Sequence, residues 1–165
     1  MPSNLPSPTY PNYSGGERYA LLFSGATQYC HLNDLEYLYR ILIDLYGFSS
    51  ENIYVLNYDG TYVINSAGTK TPNYNYDPFD PIPSVWPGDG TPYRLVVNKD
   101  GTIDSLNAMF DELKTNLKSG DLLLIHTNNH GLGRELINNE TESSLCAYAP
   151  QGEISLYYAS QFASK

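Results

Sequence analysis

The sequence predicts an α/β fold built on a mostly parallel sheet, and three observations carry that expectation. Apolar runs at residues 18–25, 53–58 and 121–126 have the length and continuity of strands buried on both faces. Two intervening stretches repeat their apolar residues at helical spacing. Strand, helix and second strand fit within about forty residues, the size of a βαβ unit, which implies a parallel pair and a right-handed crossover.

Taken in order, residues 1–16 are rich in Pro, Ser, Asn and Tyr and read as a flexible arm. The arm has no basic-then-apolar leader pattern, and no stretch of the chain approaches a membrane span. No membrane partner is expected; localisation stays open, with the cytoplasm slightly favoured. Residues 17–165 then form one domain, long enough for a core without metal or disulfide staples. Its first strand, 18–25, breaks at Ser24-Gly25. After a loop at 26–32, Asn33 or Asp34 is placed to cap a helix running to about Tyr46, with Leu35, Leu38, Ile41, Leu42 and Leu45 as its apolar stripe and Gly47 closing it. The second strand, 53–58, ends at Asp59-Gly60.

Residues 60–100 differ in kind. Prolines 72, 78, 81, 83, 87 and 92 stand among Gly, Asn and Tyr with no sustained period, the composition of a long inserted loop. Within it, 94–97 is expected as a short edge strand. Thr102 then caps a second helix with Ile103, Leu106, Phe110, Leu113 and Leu117 on its buried side, stopped by Ser119-Gly120. The third strand, 121–126, follows. Beyond it the expectations are a polar segment of hairpin character at 132–142, a short strand at 145–148 and a third helix from Gly152 through Phe162. A βαβ series should feed one more strand, so the fold reads as incomplete at its C-terminus.

The formal net charge of −9 argues against a nucleic-acid surface, which needs clustered Lys and Arg. Two cysteines, Cys30 and Cys146, are too few for a disulfide framework and lack the paired spacing of a zinc site. Gly131-Leu132-Gly133 lacks the third glycine of a phosphate loop. No cofactor or metal is expected. The chemistry concentrates where the third strand runs out, at Thr127-Asn128-Asn129-His130-Gly131. Open α/β sheets place ligand and catalytic groups at the carboxyl ends of their strands. His126, inside the apolar run, reads as a core histidine.

Three segments resemble the caspase-haemoglobinase clan of cysteine endopeptidases, nearest to its legumain-type members. Leu123 to Gly131 is similar to the clan's strand ending in the catalytic His-Gly. Glu51 to Asp59 is similar to the second strand of legumain-type enzymes, including its acidic exit. Gln28-Tyr29-Cys30-His31 falls where those enzymes have Asn-Tyr-Arg-His, and Asp34 matches an aspartate three residues on. The likeness spans about residues 18–162. It implies a caspase-like three-layer sandwich, with a mostly parallel central sheet and helices on both faces.

The resemblance implies a cysteine-type endopeptidase acting on a peptide or protein substrate. His130 would be the general acid/base, Gly131 would offer its backbone amide to the oxyanion, and Gln28 would orient the imidazole. His31 and Cys30 would line the primary specificity pocket. Cys30 stands where relatives carry arginine, so their asparagine preference does not transfer. The caspase spacing puts the nucleophilic Cys about 50 residues after the histidine, past Lys165. A companion chain or downstream segment is therefore expected to carry it. The alternatives weighed are a non-catalytic caspase-like module binding peptides or partner proteins, a small hydrolase using Cys30 with His130, and a zinc site from Cys30, His31, His126 and His130. Cys146, between Leu145 and Ala147, reads as a buried structural thiol.

Overall fold

The computed structural model describes residues 15–65, 67–75, 83–136, 140–151 and 155–164. Most of the expected arm, the start of the expected third helix at 152–154 and part of the inserted loop lie outside them. The fold is mixed α/β: a four-stranded parallel sheet flanked by helices, with two small antiparallel sheets beside it.

The central sheet contains β1 (Arg18–Ser24), β2 (Ile53–Asn57), β5 (Val97–Lys99) and β6 (Leu122–Thr127), in the order β5-β2-β1-β6. Successive residues of β1 feed opposite layers, as a pleated strand requires. Ala20 and Leu22 pack with Leu32, Leu35, Tyr39 and Leu42 of α1 (Tyr29–Asp44). Leu21 and Phe23 pack with Leu106, Met109, Phe110 and Leu113 of α2 (Ile103–Asn116). The helices occupy opposite faces because the chain steps from β1 to β2 in one direction and returns past β1 to β6 in the other, and right-handed crossovers in opposite directions fall on opposite sides.

Several expectations need correction. The first helix starts at Tyr29, capped by Gln28, rather than at Asn33 or Asp34. Its capping box carries histidine where glutamate is usual: His31 at the third position accepts from the Gln28 backbone. The helix ends at Asp44 with Leu45 as its C-cap rather than at Gly47, which follows two residues on at φ 64°, where Phe48 donates back to the Leu42 carbonyl at 2.9 Å.

The strand expected to be buried on both faces is instead the sheet's edge among the described residues. Leu122 is 41 % and Ile125 39 % exposed, because β1 takes the central place between β2 and β6. The short edge strand of the insertion is β5, Val97–Lys99, later than the expected 94–97. The insertion also holds an unforeseen antiparallel hairpin, β3 (Tyr62–Ile64) with β4 (Lys70–Pro72).

The hairpin character at 132–142 is real: β7 (Gly131–Glu135) pairs with β8 (Thr141–Ala147), a longer strand than the expected 145–148. The third helix is corrected most. Residues Ser155–Tyr158 form β9, antiparallel to β8, and only α3 (Ala159–Phe162) is helical. Tyr157 is 2 % exposed and joins the α2 core. Four residues with β-favouring Tyr-Tyr found a strand partner, which outweighed an ambiguous apolar spacing.

Candidate functional site

Two chain segments leave the carboxyl end of the sheet side by side. One follows β1 into α1; the other follows β6 into β7. Between them the strand order reverses, and such switch points are where open α/β sheets form ligand crevices. His31 lies on the first segment and His130 on the second, and their rings meet edge-to-face, with centroids 4.9 Å apart and planes at 86°.

His31 sits in the first turn of α1. The Gln28 backbone N–H donates to its Nδ1 at 3.2 Å, which leaves the remaining ring proton on Nε2 and favours the neutral form. Burial holds the His31 imidazole below its ordinary range, the facing His130 pushes it further down, and Asp34 works against both. His130 is exposed.

The His130 segment is fixed from two directions. The Asn128 backbone N–H donates to the Phe23 carbonyl at 3.0 Å, extending the β1–β6 pairing by a residue. Its side-chain Nδ2 donates to Asp34 Oδ2 at 3.0 Å and to the His31 carbonyl at 3.4 Å. The next residue reaches the other way: Asn129 Nδ2 donates to the Cys146 carbonyl at 3.2 Å. The Cys146 N–H donates to the His130 carbonyl at 2.9 Å, and its carbonyl accepts again from Ala26 N–H at 2.8 Å. The backbone of Cys146 thus ties both exits together. Gly25 permits this approach, since a Cβ there would meet the Cys146 carbonyl oxygen at 2.5 Å. Gly131 opens β7 in register with Leu145, and a Cβ on it would meet the Ser144 carbonyl at 3.1 Å.

The remaining candidates are placed as follows. Gln28 caps α1 and engages His31 through its backbone. Cys30 is exposed in the helix's first turn, next to His31. The Cys146 thiol is 1 % exposed, and burial pushes it up, away from the thiolate form. His126 points toward the α1 layer, in register with Leu22. Its Nε2 is buried without a hydrogen-bond partner, and burial lowers its imidazole pKa against a smaller opposing effect of Asp34. Among the described residues no three His, Cys, Asp or Glu side chains are arranged to hold a metal, so Cys30, His31, His126 and His130 do not assemble as a zinc site.

Sequence reasoning left Asn128 and Asn129 without a role. Their only signal was position, immediately before His130. Compared with protein families, with curated proteins and with solved structures, the chain matches none.

Proposed function

We propose that this chain is the histidine-bearing portion of a caspase-like, legumain-type cysteine endopeptidase. The nucleophilic thiol would come from a companion chain or downstream segment. The observation carrying this reading is the His31–His130 pair at the switch point of a parallel sheet. In the reaction, the companion thiolate forms a C–S bond to the scissile carbonyl carbon while His130 holds the proton taken from the thiol. Gly131 offers its backbone N–H to the oxyanion. As the C–N bond breaks, His130 passes that proton to the leaving amine. It then takes a proton from water, which attacks the thioester and releases the acid and the thiol.

The open edge of the sheet supports the companion. Leu122 and Ile125 expose apolar surface on β6, which has no strand on its outer side among the described residues. Beneath its carboxyl end lies a mostly apolar cavity of about 300 Å³, lined by Thr127, Leu145, Tyr157 and Phe162 among others. An added strand would satisfy the β6 backbone and cover this surface. The same edge favours one other reading, a non-catalytic module that binds an extended peptide by strand addition.

Hydrolysis of a peptide library decides between them, using protein that includes any segment following residue 165. Cleavage lost in His130→Ala, with a thiol-reactive peptide labelling a downstream cysteine, is the expected result. Peptide binding without cleavage selects the module. Cleavage that survives His130→Ala overturns the acid/base role.

A further inference from the structure

We infer that Asn128 is a positioning residue: by bridging Asp34 and the His31 carbonyl with its side-chain amide, it holds the His130 segment so that the two imidazoles face each other. The inference rests on the endopeptidase reading of His130 for its functional meaning, but its geometry stands apart from it.

Both partners of the Asn128 amide are acceptors, which fixes its NH₂ end toward α1. An aspartate here would set two carboxylates against each other, and a serine is too short to span both acceptors. Asparagine alone among small polar residues supplies two N–H groups on a short arm. The backbone of the same residue is held by β1. One residue therefore joins three elements: the β1 strand end through Phe23, the N-terminal half of α1 through His31 and Asp34, and the strand that delivers His130. Asn129 completes the frame on the opposite side through Cys146. Without the Asn128 bridge, the chain from Thr127 to His130 keeps its backbone bond to Phe23 but loses its lateral tie to α1. The spacing of the two rings is what that tie sets.

The charged groups acting on His31 are His130, from the β6–β7 link, and Asp34, from its own helix. That makes His31 a reporter of how close His130 is held. Imidazole titrations by NMR on the full chain read the coupling as a double-mutant cycle. With Asn128 present, His130→Gln should raise the His31 midpoint, because the facing imidazole that pushes it down is gone. In Asn128→Ala, whose fold is checked by circular dichroism, the same His130→Gln change should move His31 less. Asn128→Ser serves if the alanine variant does not fold.

Equal shifts in both backgrounds, or no shift with Asn128 intact, overturn the inference. The peptide-cleavage assay on the same variants is read separately. A broken coupling with no cleavage by any preparation keeps the positioning role and removes the peptidase reading. An unchanged coupling with His130-dependent cleavage does the reverse.

Discussion

Glu36 offers the sharpest test of how this fold holds its long insertion. It sits in α1, wholly buried, with all its bonds directed at one neighbourhood. Its Oε1 accepts from Arg40 Nε at 2.5 Å and from the Arg94 backbone N–H at 2.8 Å, and its Oε2 from the Leu95 N–H at 2.9 Å. Arg40, 8 % exposed, continues to Asp89 at 2.5 Å and to the Pro92 carbonyl at 2.8 Å, with its guanidinium 4.5 Å from the Trp86 ring centroid. The carboxylate therefore holds residues 94–95 directly and steadies the arginine that holds Asp89 and Pro92, while Asn33 takes Trp86 and Tyr93 separately. Glu36→Ala leaves Arg40 Nε and two backbone donors without their acceptor. Breaking a buried pair by removing one partner costs about 3–5 kcal/mol, and each orphaned amide about 1–3 kcal/mol when truly buried. Arg40 keeps Asp89 and Pro92, so the expected loss is about 3–5 kcal/mol in total. For a chain of this size that lowers Tm by about 6–20 °C. Glu36→Leu with Arg40→Leu removes both charges and should recover part of the loss, leaving the two amides as the remainder. Asp44→Ala, which breaks the exposed Arg94–Asp44 pair, should cost less than about 1 kcal/mol. Urea unfolding followed by circular dichroism measures all three variants against the parent chain. A Glu36→Ala loss no larger than that of Asp44→Ala would refute the reasoning, because it would mean the buried carboxylate does no more than a surface one.

Three further outcomes are expected. His31 and His126 are both held below the ordinary value of 6.5, so the unfolded chain binds more protons than the native one as pH falls through and below that value. Stability is fully present above pH 6.5 and declines below it, levelling once the folded groups titrate; His126→Leu should flatten the decline, and an unchanged pH profile would contradict the assignment. In the native protein, iodoacetamide followed by mass spectrometry should modify exposed Cys30 and spare Cys146 until denaturant is added. Ile125→Lys, at an exposed edge position, should change unfolding free energy by no more than about 0.5 kcal/mol. It should nevertheless weaken association with a companion segment measured by calorimetry, and unchanged affinity would remove β6 as the docking edge.

What the sequence made legible was local. The bounds of β1, β2 and α2 follow from continuous apolar runs, Leu periodicity and a threonine cap whose hydroxyl accepts from Ser105 N–H at 3.1 Å. The start of α1 was hidden because His31 takes the place usually filled by glutamate in a capping box. The edge position of β6 was hidden for another reason: strand order depends on pairing across the whole domain, and an apolar hexapeptide does not announce which neighbours it has. The site divided along the same line. His130 could be singled out because a strand end is a local feature. Its supports could not, since Asn128 reaches Asp34 across 94 residues of sequence and Asn129 reaches Cys146 across 17.

The sheet order links the site to the exposed edge. With β1 central, the crevice must open between β1 and β6, and β6 must have one side unpaired among the described residues. Leu-Leu-Leu-Ile is a composition suited to an interior strand, yet the run lies on a rim with Leu122 and Ile125 partly in solvent. Proteins normally blunt such edges with charge, proline or a bulge, and none of these interrupts Leu122–Thr127. Local pattern and global position disagree here, and such disagreements are expected at functional or strained sites. An extended partner on β6 would resolve the conflict by making it an interior strand. Such a strand would also bring its own carboxyl end beside His130 if it ran parallel, the direction shared by all four strands of the sheet. On the endopeptidase reading proposed above, one parallel strand on β6 would serve both features, covering the apolar edge and standing beside the imidazole pair.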